Sequence, residues 1–180
     1  MGQYRARDLL LPPSWVSLLR VPLAIAFPWA VAQPPLALGI VALAAISDVL
    51  DGYLARRLGQ ATPLGAVIDG ITDKLFVASV VASLYFEQTL SGLGVVLLGM
   101  RELGEAPLVL WWTLSQRRRK AKAEAPMANA LGKLATVLQF ISVAAVLLAP
   151  TYGTGLLWLT GAAGMVAAVG YWRRELVVVG

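Results

Sequence analysis

"DVLDGYLARRLGQATPLGAVIDGITDK", residues 48–74, decides how this chain is to be read. It holds four aspartates, Asp48, Asp51, Asp69 and Asp73, and both of its flanks are almost wholly apolar. Outward from it, the chain has 180 residues, 58% of them hydrophobic and 14% charged, with mean hydropathy +0.72. A soluble domain carries about 25% charged residues. The excess apolar content falls into six stretches, about 15–32, 35–54, 65–86, 91–114, 129–148 and 154–172. Each has the length a helix needs to cross a bilayer, roughly 17–25 residues. The expected fold is an all-α integral membrane protein of six transmembrane helices, with one membrane domain over residues 1–180.

The cations set the expected topology. Arg5 and Arg7 precede the first stretch, Arg56 and Arg57 follow the second, "RRRKAK" (117–122) follows the fourth, and Arg173 and Arg174 follow the sixth. The opposite loops, "AQPP", "EQTLS" and "APTYG", contain no Lys or Arg. By the positive-inside rule both termini and the 2–3 and 4–5 loops are cytoplasmic. Trp111, Trp112, Tyr171 and Trp172 stand beside basic runs, as an aromatic belt would. The net charge of +5 is therefore a signal of topology and anionic lipid, and requires no nucleic-acid partner. Arg20 and Pro22 interrupt what could be taken for a secretory signal, and five further apolar stretches follow. An uncleaved first span is expected.

The chain has no cysteine and no histidine. Thiol chemistry is excluded, and so are the usual neutral-pH base and the commonest transition-metal ligand. Acid–base or metal chemistry must run on carboxylates, Lys, Tyr or backbone. Asp48 and Asp51 are three apart near the end of the second stretch, while Asp69 and Asp73 are four apart near the start of the third. Those spacings put each pair on one helix face, and the short connection brings the faces together. Four neighbouring acids need compensation to stay ionised. Two divalent ions supply it, and all-oxygen ligation suits Mg2+ or Mn2+. This is the layout of a two-metal phosphoryl-transfer site.

The intervening residues agree with that layout. Gly52 and Ala55 leave one helix face nearly bare, and Arg56 offers a fork-shaped phosphate donor. Thr62 can cap the next helix or bind substrate, and Gly65 sits near its N-terminus, where free N–H groups attract anions. A calcium loop is excluded because "DVLDG" lacks alternating acids. An ion or proton transporter is the rival from another class, since intramembrane carboxylates mark those pathways too. Against it, no acid or base continues a route near the outer ends of the second and third stretches.

Residues 48–73 read D-x2-D-G-x2-A-R-x8-G-x3-D-x3-D without a mismatch. This pattern resembles the signature of the CDP-alcohol phosphatidyltransferases. "LPPSWVSLLR" (11–20) is similar to that family's short interfacial helix leading into the first span, with Ser14 and Ser17 where the family often has Asn and Thr. The resemblance implies that Asp48, Asp51 and Asp69 hold one metal, and Asp48, Asp69 and Asp73 a second. It implies that Gly52, Ala55, Arg56, Thr62 and Gly65 line the CDP site. Asp73 matches the general base, which takes the acceptor's hydroxyl proton as CMP leaves.

"GKLATVLQ" (132–139) and "RE" (101–102) are similar to segments of members that use glycerol 3-phosphate. Lys133 and Arg101 are the matching candidates for the acceptor phosphate, partly screened from water, ahead of Arg20 and Lys74. The resemblance thus implies transfer of a phosphatidyl group from CDP-diacylglycerol to glycerol 3-phosphate at the cytoplasmic face of an inner membrane. Inositol phosphate or phosphatidylglycerol are the alternative acceptors. The run "GTGLLWLTGAAG" (153–164) is compatible with a homodimer or with packing inside one bundle.

Overall fold

The computed structural model describes residues 11–114 and 130–179; Arg5, Arg7 and the basic run 117–122 lie outside them. Every regular element among the described residues is a helix. The chain divides into two compact units, Met1–Gln88 and Thr89–Gly180.

The first unit contains α1 (Pro12–Leu18), α2 (Arg20–Ala30), α3 (Pro34–Arg57) and α4 (Pro63–Phe86). Proline opens three of these helices. Its missing N–H costs nothing in the first turn, and its fixed φ is already helical. The expected first span is divided at Leu19, which keeps helical dihedrals (φ −58°, ψ −23°), so α2 nearly continues α1. α3 ends where Gly59 takes φ +63°, a region glycine enters without a Cβ penalty. The N–H of Gln60 then donates to Ala55 O at 2.9 Å, closing a Schellman-type cap. Thr62 caps α4, its Oγ1 accepting from the Gly65 N–H at 3.1 Å. These two caps reverse the chain within residues 58–62.

Helical spacing builds the core of this unit. α3 buries Ala37, Ile40, Val41, Ala44, Ser47 and Asp51, a stripe at intervals of three and four. α2 buries Arg20, Ala24, Phe27 and Ala30. α4 contributes Thr72, Phe76, Val80 and Leu84. The stripes meet because α2 packs on both α3 and α4. Phe27 and Phe76 touch edge to face with ring centroids 6.4 Å apart, and Ser79 Oγ donates to Ala24 O at 2.6 Å. The charges of these stripes fall at one end of each, the start of α2, the end of α3 and the start of α4, while Ser83 near the other end of α4 is a buried hydroxyl donating to Ser79 O.

The second unit contains α5 (Gly92–Leu98), α6 (Met100–Leu114), α7 (Ala130–Leu148) and α8 (Pro150–Val179). α8 packs against the other three. The expected fourth span is broken at Gly99, and there Gln139 Nε2 donates to the Leu98 carbonyl at 3.0 Å. Ser142 and Thr160, both buried, share a 2.7 Å hydrogen bond between α7 and α8. Small residues on α8 set its close approaches. A Cβ on Gly161 would stand 2.7 Å from Leu97 Cδ2, and one on Gly164 would stand 2.9 Å from the Arg101 backbone nitrogen. These glycines therefore pack inside the unit, whereas Gly155 is exposed with nothing within 4 Å.

Two of the described helical segments, Pro34–Arg57 and Gly153–Arg173, are long and apolar enough to cross a membrane. The first has 24 residues. That makes it about 36 Å long, against a hydrocarbon core of about 30 Å.

The glycine contacts lead to a pair of substitutions with opposite signs. Gly164→Ala sets a methyl group against the Arg101 backbone and should destabilise by about 1–3 kcal/mol, the usual cost of overpacking. Gly155→Ala removes only a helix-weakening glycine and should stabilise by about 0.5–1 kcal/mol. Thermal unfolding of both variants in detergent checks this; equal and small shifts would contradict the close approach of α8.

Candidate functional site

The polar ends of the three stripes converge on one cluster. Asp48 and Asp51 of α3 and Asp69 of α4 each bring a carboxylate oxygen to within 4.8 Å of the others. Asp73 follows one turn later on α4, half-buried and outside that trio. The three-residue spacing on α3 explains why both its acids face α4, and the tight 58–62 turn explains why Asp69 is level with them.

Arg20, at the start of α2, is among the largest fully buried side chains of the first unit and closes the cluster from its inner side. Its Nη1 donates to Asp69 Oδ1 at 2.8 Å. Its Nη2 donates to Asp51 Oδ2 and pairs with Asp48 Oδ1 at 3.3 Å. Its Nε donates to Ser47 Oγ at 3.2 Å. Ser17 Oγ, from α1, donates to the same Asp51 oxygen at 2.7 Å. Arg20 has no exposed surface, whereas the side chains of Asp48 and Asp69 are 35% and 43% exposed. The trio thus presents a wet outer side and a dry inner side held by one guanidinium.

The donor set fits a hard divalent cation. It is all oxygen, drawn from two helices, and compact. Arg20 engages each carboxylate through one oxygen, and a carboxylate offers about four acceptor positions in all.

The residues expected around CDP fall into two groups. Arg56 lies over Gly52, where a Cβ would stand 3.4 Å from Nη1, and Ala55 is half-buried one residue before it. Thr62 and Gly65 form the α4 cap, and a Cβ on Gly65 would stand 3.1 Å from Thr62 Oγ1 and 3.7 Å from Ser14 Oγ. Ser14 and Ser17, the two departures from the family pattern, are both buried, Ser14 near this cap and Ser17 against Asp51. Sequence reasoning marked Arg20 as a cation within a span but grouped it with acceptor-phosphate candidates. It did not connect Ser17 or Ser47 with the acids. The available signal was the stripe itself: Ser47 falls between Ala44 and Asp51 at helical spacing.

Arg101 and Lys133 belong to the second unit. Arg101 Nε donates to Glu105 Oε1 at 3.1 Å, and its Nη1 donates to Thr136 Oγ1. Gln139 Nε2 lies 3.4 Å from Glu102 Oε2 as well as bonding Leu98 O. The "RE" pair of α6 and the "GKLATVLQ" segment of α7 are thus packed together, with Tyr171 of α8 against Gly132. Lys133 is exposed rather than partly screened, because it lies on the face of α7 opposite Ala135 and Gln139.

A sequence profile described as CDP-alcohol phosphatidyltransferase matches residues 10–170. A CDP-diacylglycerol–glycerol-3-phosphate 3-phosphatidyltransferase of Pseudomonas fluorescens is 62% identical over 39 residues, which is 22% of this chain and 20% of that protein. One of Sodalis glossinidius is 30% identical over 149 residues, 77% of each chain. A CMP-forming cardiolipin synthase of Streptomyces coelicolor is 32% identical over 137 residues, 71% of this chain and 60% of that protein. The chain spans 47% of a chloroplastic relative from rice and 15% of a rice cardiolipin synthase, so it matches only part of several of these proteins. The profile runs through both units, and the acidic motif within it brings three carboxylates together: the chain belongs to the CDP-alcohol phosphatidyltransferase family.

Proposed function

We propose that this protein transfers the phosphatidyl group of CDP-diacylglycerol to the hydroxyl of glycerol 3-phosphate and releases CMP. The observation that carries this reading is the trio Asp48, Asp51 and Asp69, gathered from two helices within 4.8 Å in a chain of this family. Asp48, Asp51, Asp69 and Asp73 would hold two divalent ions, Mg2+ or Mn2+. Bound there, the ions would offset the acids and neutralise charge on the pyrophosphate. Arg56 beside Gly52 would pair with a phosphate, and the Thr62–Gly65 turn with Ala55 would seat the nucleotide. Asp73 would accept the acceptor's hydroxyl proton while the acceptor oxygen bonds to the lipid-side phosphorus and the bond to CMP breaks. Arg101 and Lys133 would bind the acceptor's phosphate.

Six spans, cytoplasmic termini, an interfacial α1 and residence in a cytoplasmic membrane complete the reading. The charge asymmetry of the loops supports it, as do exposed apolar side chains such as Trp29, Leu43, Val49 and Phe86. In water such surfaces are an aggregation liability; in lipid they are the solvated face. Phosphatidylglycerol is the second acceptor to consider, because a cardiolipin synthase matches 71% of the chain. The contacts joining Arg101 and Glu102 to Thr136 and Gln139 favour glycerol 3-phosphate.

Purified protein with CDP-diacylglycerol, Mg2+ and glycerol 3-phosphate should release CMP. EDTA or Asp69→Asn should abolish that release, and full activity in EDTA would end the two-metal reading. Asp73→Asn should retain CDP-diacylglycerol binding while losing about 10²–10⁴ in rate, the usual contribution of a general base. A near-normal rate removes Asp73 from that role. Arg101→Ala should raise the KM for glycerol 3-phosphate roughly ten- to hundredfold, the loss of one charged hydrogen bond. The KM for CDP-diacylglycerol should hardly move. Faster turnover with phosphatidylglycerol than with glycerol 3-phosphate would select the second acceptor.

A further inference from the structure

Arg20 is not needed for any step above, yet it is more completely buried than any of the acids it touches. A guanidinium stays charged at every working pH. Taking it out of water is costly unless partners surround it. Three of its nitrogens are engaged with partners on α3 and α4 while its own backbone belongs to α2. It therefore ties all three helices at the level of the acids.

The acids need such a tie. Three carboxylates within 4.8 Å of one another carry −3, and at that spacing each disfavours the ionisation of the others. With Arg20 the formal sum for the trio alone is −3 + 1 = −2, before Asp73 and a second ion are counted. The geometry is also directional. Arg20 holds the trio from the dry side, and the exposed sides of Asp48 and Asp69 face away from it. A cation arriving from water meets carboxylates already gathered, with no need to displace the guanidinium.

We propose that Arg20 is a resident cation: a positioning residue that keeps Asp48, Asp51 and Asp69 assembled when no divalent ion is bound. This rests on the metal reading of the trio. It adds that the cluster exists before the metal and that Arg20 and the metal share the work of compensating it. Ser17 and Ser47 complete the device, one donating to Asp51 and the other accepting from Arg20.

The test is thermal unfolding of the purified full chain in detergent, in EDTA and in excess Mg2+. Arg20→Met keeps the volume and removes the charge. In EDTA it should lower the apparent Tm by about 10 °C, the effect of leaving buried charges without their partner in a chain of this size. Excess Mg2+ should then raise the Tm of Arg20→Met more than that of the wild type, because the ion now meets −3 instead of −2. Adding Asp51→Asn to Arg20→Met should recover part of the loss in EDTA. A loss that is the same in EDTA and Mg2+, and is not recovered by Asp51→Asn, would mean ordinary packing and overturn the proposal. If Arg20→Met does not yield folded protein, Arg20→Lys, which keeps the charge without the fork, should show an intermediate Tm. Its Mg2+ response should lie close to that of the wild type; a response well above it overturns the proposal. Mn2+ binding to the wild type, followed by electron paramagnetic resonance, separates the two ideas. No binding there sinks the metal reading, while the EDTA comparison of Arg20→Met with its Asp51→Asn double variant still decides the role of Arg20.

Discussion

A buried charge needs partners, and in the first unit that need organises everything else. Arg20 can lie without exposed surface only because Asp48, Asp51, Asp69 and Ser47 surround it. Those partners come from two helices that must therefore stop, turn and restart within residues 58–62. The Gly59 cap and the Thr62 cap are the local means, and the aromatic contact of Phe27 with Phe76 secures α2 against α4 farther along. Removing Arg20 from this set would leave Asp51 charged and nearly dry, the costly outcome for a broken buried pair.

Much of this was legible in the sequence. The expected apolar stretches 35–54 and 65–86 fall within α3 and α4. The pairs Asp48–Asp51 and Asp69–Asp73 could be placed on helix faces by counting alone. What counting cannot supply is the partner across a long separation. Arg20 lies 31 residues from Asp51 and 49 from Asp69. No periodicity links residues that far apart, so a cation within a span reads as a substrate ligand as readily as a counter-ion. Ser17 and Ser47 were invisible for a related reason, since a hydroxyl facing a core looks like any small residue until its acceptor is known.

The helix breaks show the same boundary between local and tertiary information. Two expected spans, 15–32 and 91–114, are each interrupted once, at Leu19 and at Gly99. Hydropathy averages over a window and passes over both. The second break is stabilised by a donor from another helix, Gln139 to the Leu98 carbonyl, which frees α6 to start afresh. That restart sets Arg101 toward Thr136 and Glu102 toward Gln139. The two short motifs on α6 and α7, separate in sequence, are thus one packed unit in space.

The charged ends of the α2, α3 and α4 stripes lie together, and the opposite ends are mostly apolar among the described residues. This gives the first unit a chemical direction along its helices. In a bilayer such an object has sidedness: its acid-bearing end can face one aqueous compartment and not the other. On the proposed reaction, a water-soluble nucleotide product would leave on that side alone. A lipid made at that end would enter only the adjoining leaflet, and its appearance in the opposite leaflet would depend on a separate flipping step.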